Sequence, residues 1–317
     1  MPAKTGQERP VGVSMEMETG TIVMNSPPIL RSLLFVPGVR PDFLPKARAA
    51  GADALILDLE DSVPPDAKEA ARSNVRAWLA ESSDRLIFVR FNQLSLGDLD
   101  KDLSVLAPHG SQVLMIPKVE HAQDLHELDE RLSSFESARG LAPDAVKIVI
   151  VIESSLGLRN LYDILHGVRR VCGAALASAE QGDLIVDLGA QWAPTGEALT
   201  YARGKFVCDA RAAKIPWLID GAFMNIRNPE ALRAEAVIAR AHGFSSKVAI
   251  HPGQVATINE VFSPTVAEIA RARALLDAFR EAEGRGHGAT QFQGGMVDYA
   301  NVKWAERILG LAAAIQP

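Results

Sequence analysis

Two acidic residues, Glu153 and Asp183, each follow an apolar run that reads as a buried β-strand, and carboxylates at strand ends suggest a cation site. Two ionised carboxylates about 4 Å apart repel by roughly 4 kcal/mol at an effective dielectric near 20, so a fold that joins them normally adds a divalent ion. Ligands that are all oxygen favour Mg²⁺ or Mn²⁺ over zinc. The competing reading makes the two residues separate helix caps or salt-bridge partners.

Other apolar runs end in the same way. In chain order they deliver Gly38, then Asp58, Glu60 and Asp61, Arg90, Lys118, Glu153, Asp183, Asp220 and His251. A guanidinium directly after LIFV is costly without an anion, so Arg90 is expected to meet a substrate carboxylate or enolate oxygen, an internal partner in Asp58 or Glu60, or both. Alternation sends Asp58 and Glu60 to one side of their strand and leaves Asp61 beyond it. These three are read as holding metal-bound water and orienting Arg90, with an N-cap the rival role for Asp61 and with Ser62 and Asp66 the stronger caps. Lys118 is read as a phosphate ligand or a partner of Glu120. His251, before Pro252, reads as structural, and Asp220 either reaches the site mouth or caps the turn before Gly221.

Eight apolar runs alternate with segments of helical period: SLLFVPG, ADALILDLED, RLIFVRFN, QVLMIPKVE, VKIVIVIES, GAALASA, PWLIDGAF and SSKVAIH. Strands this uniformly apolar, each followed by a helix, predict a parallel sheet covered on both faces. The repeat and its length predict an α/β fold, a (β/α)₈ TIM barrel with a C-terminal helical lid extension. A doubly wound sheet is the runner-up, disfavoured because the first turn reads FVPGVRP and lacks a Gly-rich dinucleotide fingerprint. The expected organisation is a flexible tail over 1–28, the barrel over 29–262 and the helical extension over 263–317. Within the extension, GRGHGATQFQGGMVD reads as a Gly-rich joint that lets the last helix swing.

The 317 residues are 48% hydrophobic with a net charge of −6, and no Lys/Arg cluster stands out. That argues against a nucleic-acid groove or an anionic membrane surface. Cys172 and Cys208 show no zinc or redox spacing, which fits a reducing cytoplasm. The first 28 residues, with Glu8, Glu16 and Glu18, lack the apolar stretch of a signal or membrane span.

RSLLFVPGVRP, LDLEDSV, VRFN, IPKVE, VIES, EQGDL and IHPGQ, in this order and spacing, resemble the citrate lyase β-subunit family, which includes the CoA-dependent β-hydroxyacyl lyases. The likeness runs from about Arg31 to the C-terminus. It implies a (β/α)₈ enzyme that cleaves or forms a carbon–carbon bond between a thioester enolate and a 2-oxo acid, on substrates such as malyl-CoA or citramalyl-CoA. It implies Glu153 and Asp183 as Mg²⁺ ligands, and a CoA thioester site at the first turn with Phe35, Pro37, Gly38 and Arg40. Asp298 matches an aspartate that a neighbouring subunit supplies to exchange a proton with the enolate carbon, which implies a homo-oligomer, trimer or hexamer, whose lids cross over. Read alone, Asp298 is an N-cap with Met296 and Val297 packed beneath it. Two rivals stay open: a citrate lyase β-subunit working on an acyl-carrier protein, and a CoA-independent metal-dependent aldolase of hydroxy-oxo acids. SAEQGDL, with Glu180 and Gln181 near the metal, departs from the family pattern, as do Asn225 and Asn228 where aspartates are frequent.

Overall fold

The computed structural model describes residues 28–81, 86–106 and 113–315. The segment 1–27, and Arg85 and Gln112 at the starts of two expected strands, lie outside the described residues. Eight strands, β1 (Ser32–Pro37), β2 (Ala54–Asp58), β3 (Leu86–Arg90), β4 (Val113–Ile116), β5 (Lys147–Ile152), β6 (Val171–Leu176), β7 (Trp217–Asp220) and β8 (Ser246–Ala249), close into a parallel barrel in chain order. β8 returns to β1, placing Ser32 opposite Lys247 and Leu34 opposite Ala249. An open, doubly wound sheet is thereby excluded.

Alternation along each strand divides the apolar side chains between two cores. Leu33, Ile56, Phe88, Met115, Val149 and Trp217 fill the barrel interior. Leu34, Leu55, Val89, Leu114, Ile150 and Leu218 face the surrounding helices. This phase matters for the site: Asp58 follows the inward residues Ala54 and Ile56, Arg90 follows Phe88, and Glu153 follows Val149 and Val151. All three therefore point toward the barrel mouth.

The helices are set by local signals. In Lys68–Glu81 the buried residues Ala71, Val75 and Trp78 recur at helical spacing and pack on the outer core. Helix Pro229–His242 starts on Asn228, whose side chain accepts from the Ala231 amide at 3.0 Å, and ends at Gly243 with φ +107°. Asn225 likewise accepts from the Arg227 amide at 3.1 Å. The two asparagines that departed from the family pattern thus serve the backbone of this loop.

Helix Val255–Phe262 completes the eighth unit and helix Val266–Gly284 begins the extension. The following segment is not a free joint: β9 (Thr290–Phe292) and β10 (Gly295–Val297) pair antiparallel, with Gln293 and Gly294 both at positive φ in the turn. Two such residues supply the twist a short hairpin needs. Leu275, Phe279, Val297, Ala305 and Ile308 then bury a separate cluster between Val266–Gly284 and the last helix, Tyr299–Ile315. No helix among the described residues is long and apolar enough to cross a membrane.

Candidate active site

Asp58 and Arg90 are cross-strand partners in the β2–β3 register. Arg90 donates from Nε and Nη2 to the two Asp58 oxygens at 2.7 and 2.8 Å, a planar fork that fixes the guanidinium. Asp58 also accepts from the Glu60 amide at 2.9 Å and from the Ser62 hydroxyl. Burial alone would raise the Asp58 carboxyl, but Arg90 and Ser62 outweigh it and hold it below the usual range. The remaining nitrogen, Nη1, lies 3.0 Å from Glu60 Oε2 and 3.7 Å from Asp61. The Glu60 approach is an ion pair off the N–H axis, and Oε2 accepts no hydrogen bond. Phe35 supports the other side, its ring centre 4.7 Å from the Arg90 guanidinium carbon.

Lys68, on the helix after β2, donates to the Leu59 and Glu60 carbonyls at 2.7 and 2.8 Å and holds this acidic loop from behind. Lys118 approaches it from β4. Its ammonium lies 3.3 Å from Asp183, 3.6 Å from Glu60 and 3.9 Å from Asp61, while Glu120 accepts instead from the Ser154 hydroxyl. The Lys118–Glu120 pair expected from sequence is not formed.

Glu153 lies just past β5, nearly buried, and its Oε1 has no hydrogen-bond partner. Burial first, then the charge of Glu60, push its carboxyl up to about 7 against the pull of Arg90 and Lys118. Glu60 is likewise pushed up to about 7, chiefly by burial. Asp183 is not at a strand end. β6 stops at Leu176, the chain turns through Gln181 at φ +58°, and Asp183 opens the short helix Asp183–Asp187 with its side chain 59% exposed. Asp187 of that helix accepts from the Ser155 amide at 2.6 Å, tying the Asp183 platform to the loop that carries Glu153.

Asp58, Asp61, Arg90, Glu153 and Asp183 line one cleft of about 720 Å³ at the carboxyl end of the strands. Phe35 and Pro37 line it too, and Met115, Val151, Ala175 and Val248 form its apolar inner wall. Five carboxylates, Asp58, Glu60, Asp61, Glu153 and Asp183, share the cations Arg90, Lys118 and Lys68. The acids outnumber them five to three, and the orphaned Glu153 oxygen is what a hard cation would satisfy. Among the described residues no group of three or more His, Cys, Asp or Glu forms a closed metal cage. The donors thus fit a Mg²⁺-type ion bound by two carboxylates, with its other positions left for substrate and water.

Other expected contacts are redistributed. Gly38 is buried, and a Cβ there would sit 2.7 Å from the Asp58 carbonyl oxygen, so its role is close packing of β1 on β2. Arg40 is exposed, forked onto Asp42 at 2.7 and 2.9 Å and stacked on Phe43. His251 accepts through Nδ1 from the Gly253 amide at 3.0 Å, as a structural cap. Asp220 has the outward phase, one residue after inward Ile219, and binds Lys247 at 2.6 Å, Arg203 at 3.3 Å and the Ser178 hydroxyl at 2.8 Å behind the barrel wall. It does not reach the site mouth. Glu180 and Gln181 are exposed on the turn before Asp183. Asp298 caps the last helix, accepting from the Ala300 amide at 2.9 Å; Val297 is buried beneath it, but Met296 is exposed. Ser62, expected as a helix cap, instead donates to Asp58, while Lys68, Ser178 and Asp187 had no sequence-level role in the site.

A closed parallel barrel whose strands deliver an arginine and an acid cluster to one rim defines a (β/α)₈ enzyme with its chemistry at the C-terminal face. The HpcH/HpaI aldolase/citrate lyase family matches residues 31–252, and the chain belongs to it. It is a carbon–carbon lyase. A citrate lyase subunit beta-like protein of Deinococcus radiodurans is 38% identical, covering 90% of this chain and 99% of that one. The L-malyl-CoA/beta-methylmalyl-CoA lyase of Rhodobacter capsulatus is 33% identical over 88% and 93% of the two chains. The crystal structure of CitE from Mycobacterium tuberculosis in complex with magnesium, acetoacetate and coenzyme A superposes with a TM-score of 0.72 at 30% identity, covering 90% of this chain and 98% of that one.

Proposed function

We propose that the protein is a Mg²⁺-dependent lyase of a β-hydroxyacyl-CoA of the malyl-CoA or citramalyl-CoA type, yielding acetyl-CoA and glyoxylate or pyruvate. The observation that carries this reading is the buried, unpartnered Glu153 oxygen in the cleft shared by Asp183 and Arg90. Glu153 and Asp183 hold the ion, which when bound supplies Lewis-acid polarisation to the hydroxyl and carboxylate of the substrate. Glu60, with a carboxyl at about 7, takes the hydroxyl proton as the carbon–carbon bond breaks. Arg90, fixed by Asp58, faces the charge that develops on the departing thioester enolate. Asp298 of a neighbouring subunit returns a proton to the enolate carbon. Phe35 and Pro37 line the approach for the CoA arm, with Arg40 exposed on the same turn.

The apolar inner wall supports the CoA esters over a citryl group, whose extra carboxylate would find no cation beside Met115, Val151, Ala175 and Val248. Incubation with Mg²⁺ and malyl-CoA, citramalyl-CoA or free hydroxy-oxo acids tests the proposal. Release of the oxo acid from a CoA ester is expected, with Asp183→Asn lowering turnover by more than about a hundredfold while the fold persists. Turnover of the free acids alone, dependence on a co-purifying acyl-carrier protein, or an active Asp183→Asn protein would refute it.

A further inference from the structure

The two cations in the cleft rim are held differently. Arg90 is locked by a fork of two bonds to Asp58. Lys118 has no comparable anchor: it hovers between Asp183, Glu60 and Asp61 at 3.3, 3.6 and 3.9 Å. These acids come from two separate elements, the loop after β2 and the helix Asp183–Asp187, so one point charge joins both sides of the cleft. Its backbone has φ +55°, a conformation side-chain-bearing residues seldom adopt and one that clusters at functional sites. Lys118 also borders a second, polar furrow of about 670 Å³ whose walls include Glu120, Asp124 and Glu127. A long flexible ammonium side chain on that border has anionic surroundings on either side.

We propose that Lys118 is an internal counter-cation of the acid site, holding Asp183 to the Glu60–Asp61 loop before the divalent ion arrives and competing with that ion for Asp183. Binding of the ion then displaces the ammonium toward the furrow, so the apparent Mg²⁺ affinity is the intrinsic affinity reduced by the cost of breaking these pairs. This is an alternative to the phosphate-binding role expected from sequence. It rests on Glu153 and Asp183 being the metal ligands, as read above.

The competition has a sign that loss of structure does not share: removing a structural tether weakens metal binding, whereas removing a competitor strengthens it. Mg²⁺ is titrated calorimetrically into the full-length wild type, Lys118→Met and Lys118→Arg proteins in the absence of CoA ester. Lys118→Met should bind about tenfold more tightly or better, as expected for deleting a unit charge a few ångströms from a divalent ion. Lys118→Arg, which keeps the charge, should remain near the wild type. Equal or weaker binding by Lys118→Met, with wild-type binding intact, overturns the role of Lys118 and leaves the metal site standing. If the wild type and Glu153→Gln take up Mg²⁺ alike, the metal reading fails and the inference falls with it.

Discussion

Glu60 and Glu153 set the behaviour of the site near neutral pH. Both carboxyls are pushed to about 7 in the folded protein, against roughly 4.3 for a free glutamate. A group whose folded value is raised binds more protons folded than unfolded, so its contribution to stability falls as pH rises from about 4.5 to 7. Bound through Glu153 as proposed, Mg²⁺ requires that carboxyl ionised and offsets the repulsion between it and Glu60. The rise in melting temperature on adding Mg²⁺ should therefore be a few degrees larger at pH 8 than at pH 5.5, where protons compete with the ion. Differential scanning fluorimetry at the two pH values checks this, and an equal rise at both would count against Glu153 as a ligand. Glu153 and Asp58 were legible because each continues the inward phase of its strand. Asp220 occupies a similar place in the text, but its phase is set by Trp217 and Ile219, and only the observed register shows that it points outward.

Among the elements, β7 and β8 show how the barrel wall supports the rim. Lys247 lies opposite Asp220 in the register and donates to Asp220, to the Gly221 carbonyl and to Glu235 at 2.6, 2.7 and 2.8 Å, all without solvent. Ser178, just beyond β6, bridges Asp220 and the Gly221 amide, and a Cβ at Gly221 would lie 2.6 Å from the Ser178 nitrogen. Lys247→Met should thus cost about 3–5 kcal/mol, since Asp220 and Glu235 would be left to share Arg203 alone. Urea unfolding measures the loss, and a change below about 1 kcal/mol would show that the network contributes little. The eight strands were readable because burial on both faces writes continuous apolar text. The β9–β10 hairpin was not, because three-residue strands between glycines carry too little periodicity to separate them from a linker.

At the scale of the molecule, the extension carries a proposed catalytic group, Asp298, that stands apart from its own cleft. Asp298 is absent from the residues lining that cleft, and the extension buries its own cluster while Arg240 and Glu268 tie its first helix to the barrel at 2.9 Å. The hairpin and the packing of Phe279 against Tyr299 make the Asp298 region a firm arm, not a loosely tethered lid. In the proposed reaction, a proton donor on such an arm would act by reaching the cleft of another copy. Two inactive proteins should then restore each other: Asp183→Asn lacks a metal ligand but keeps the arm, and Asp298→Asn lacks the arm's acid but keeps the cleft. Mixed under conditions that exchange subunits, they form some sites that combine an intact cleft with an intact arm, and activity should recover to a fraction of the wild type, about a quarter for random pairing of one cleft with one arm. Activity that stays at the level of the two separate mutants after exchange would place Asp298 outside the reaction or return it to its own subunit.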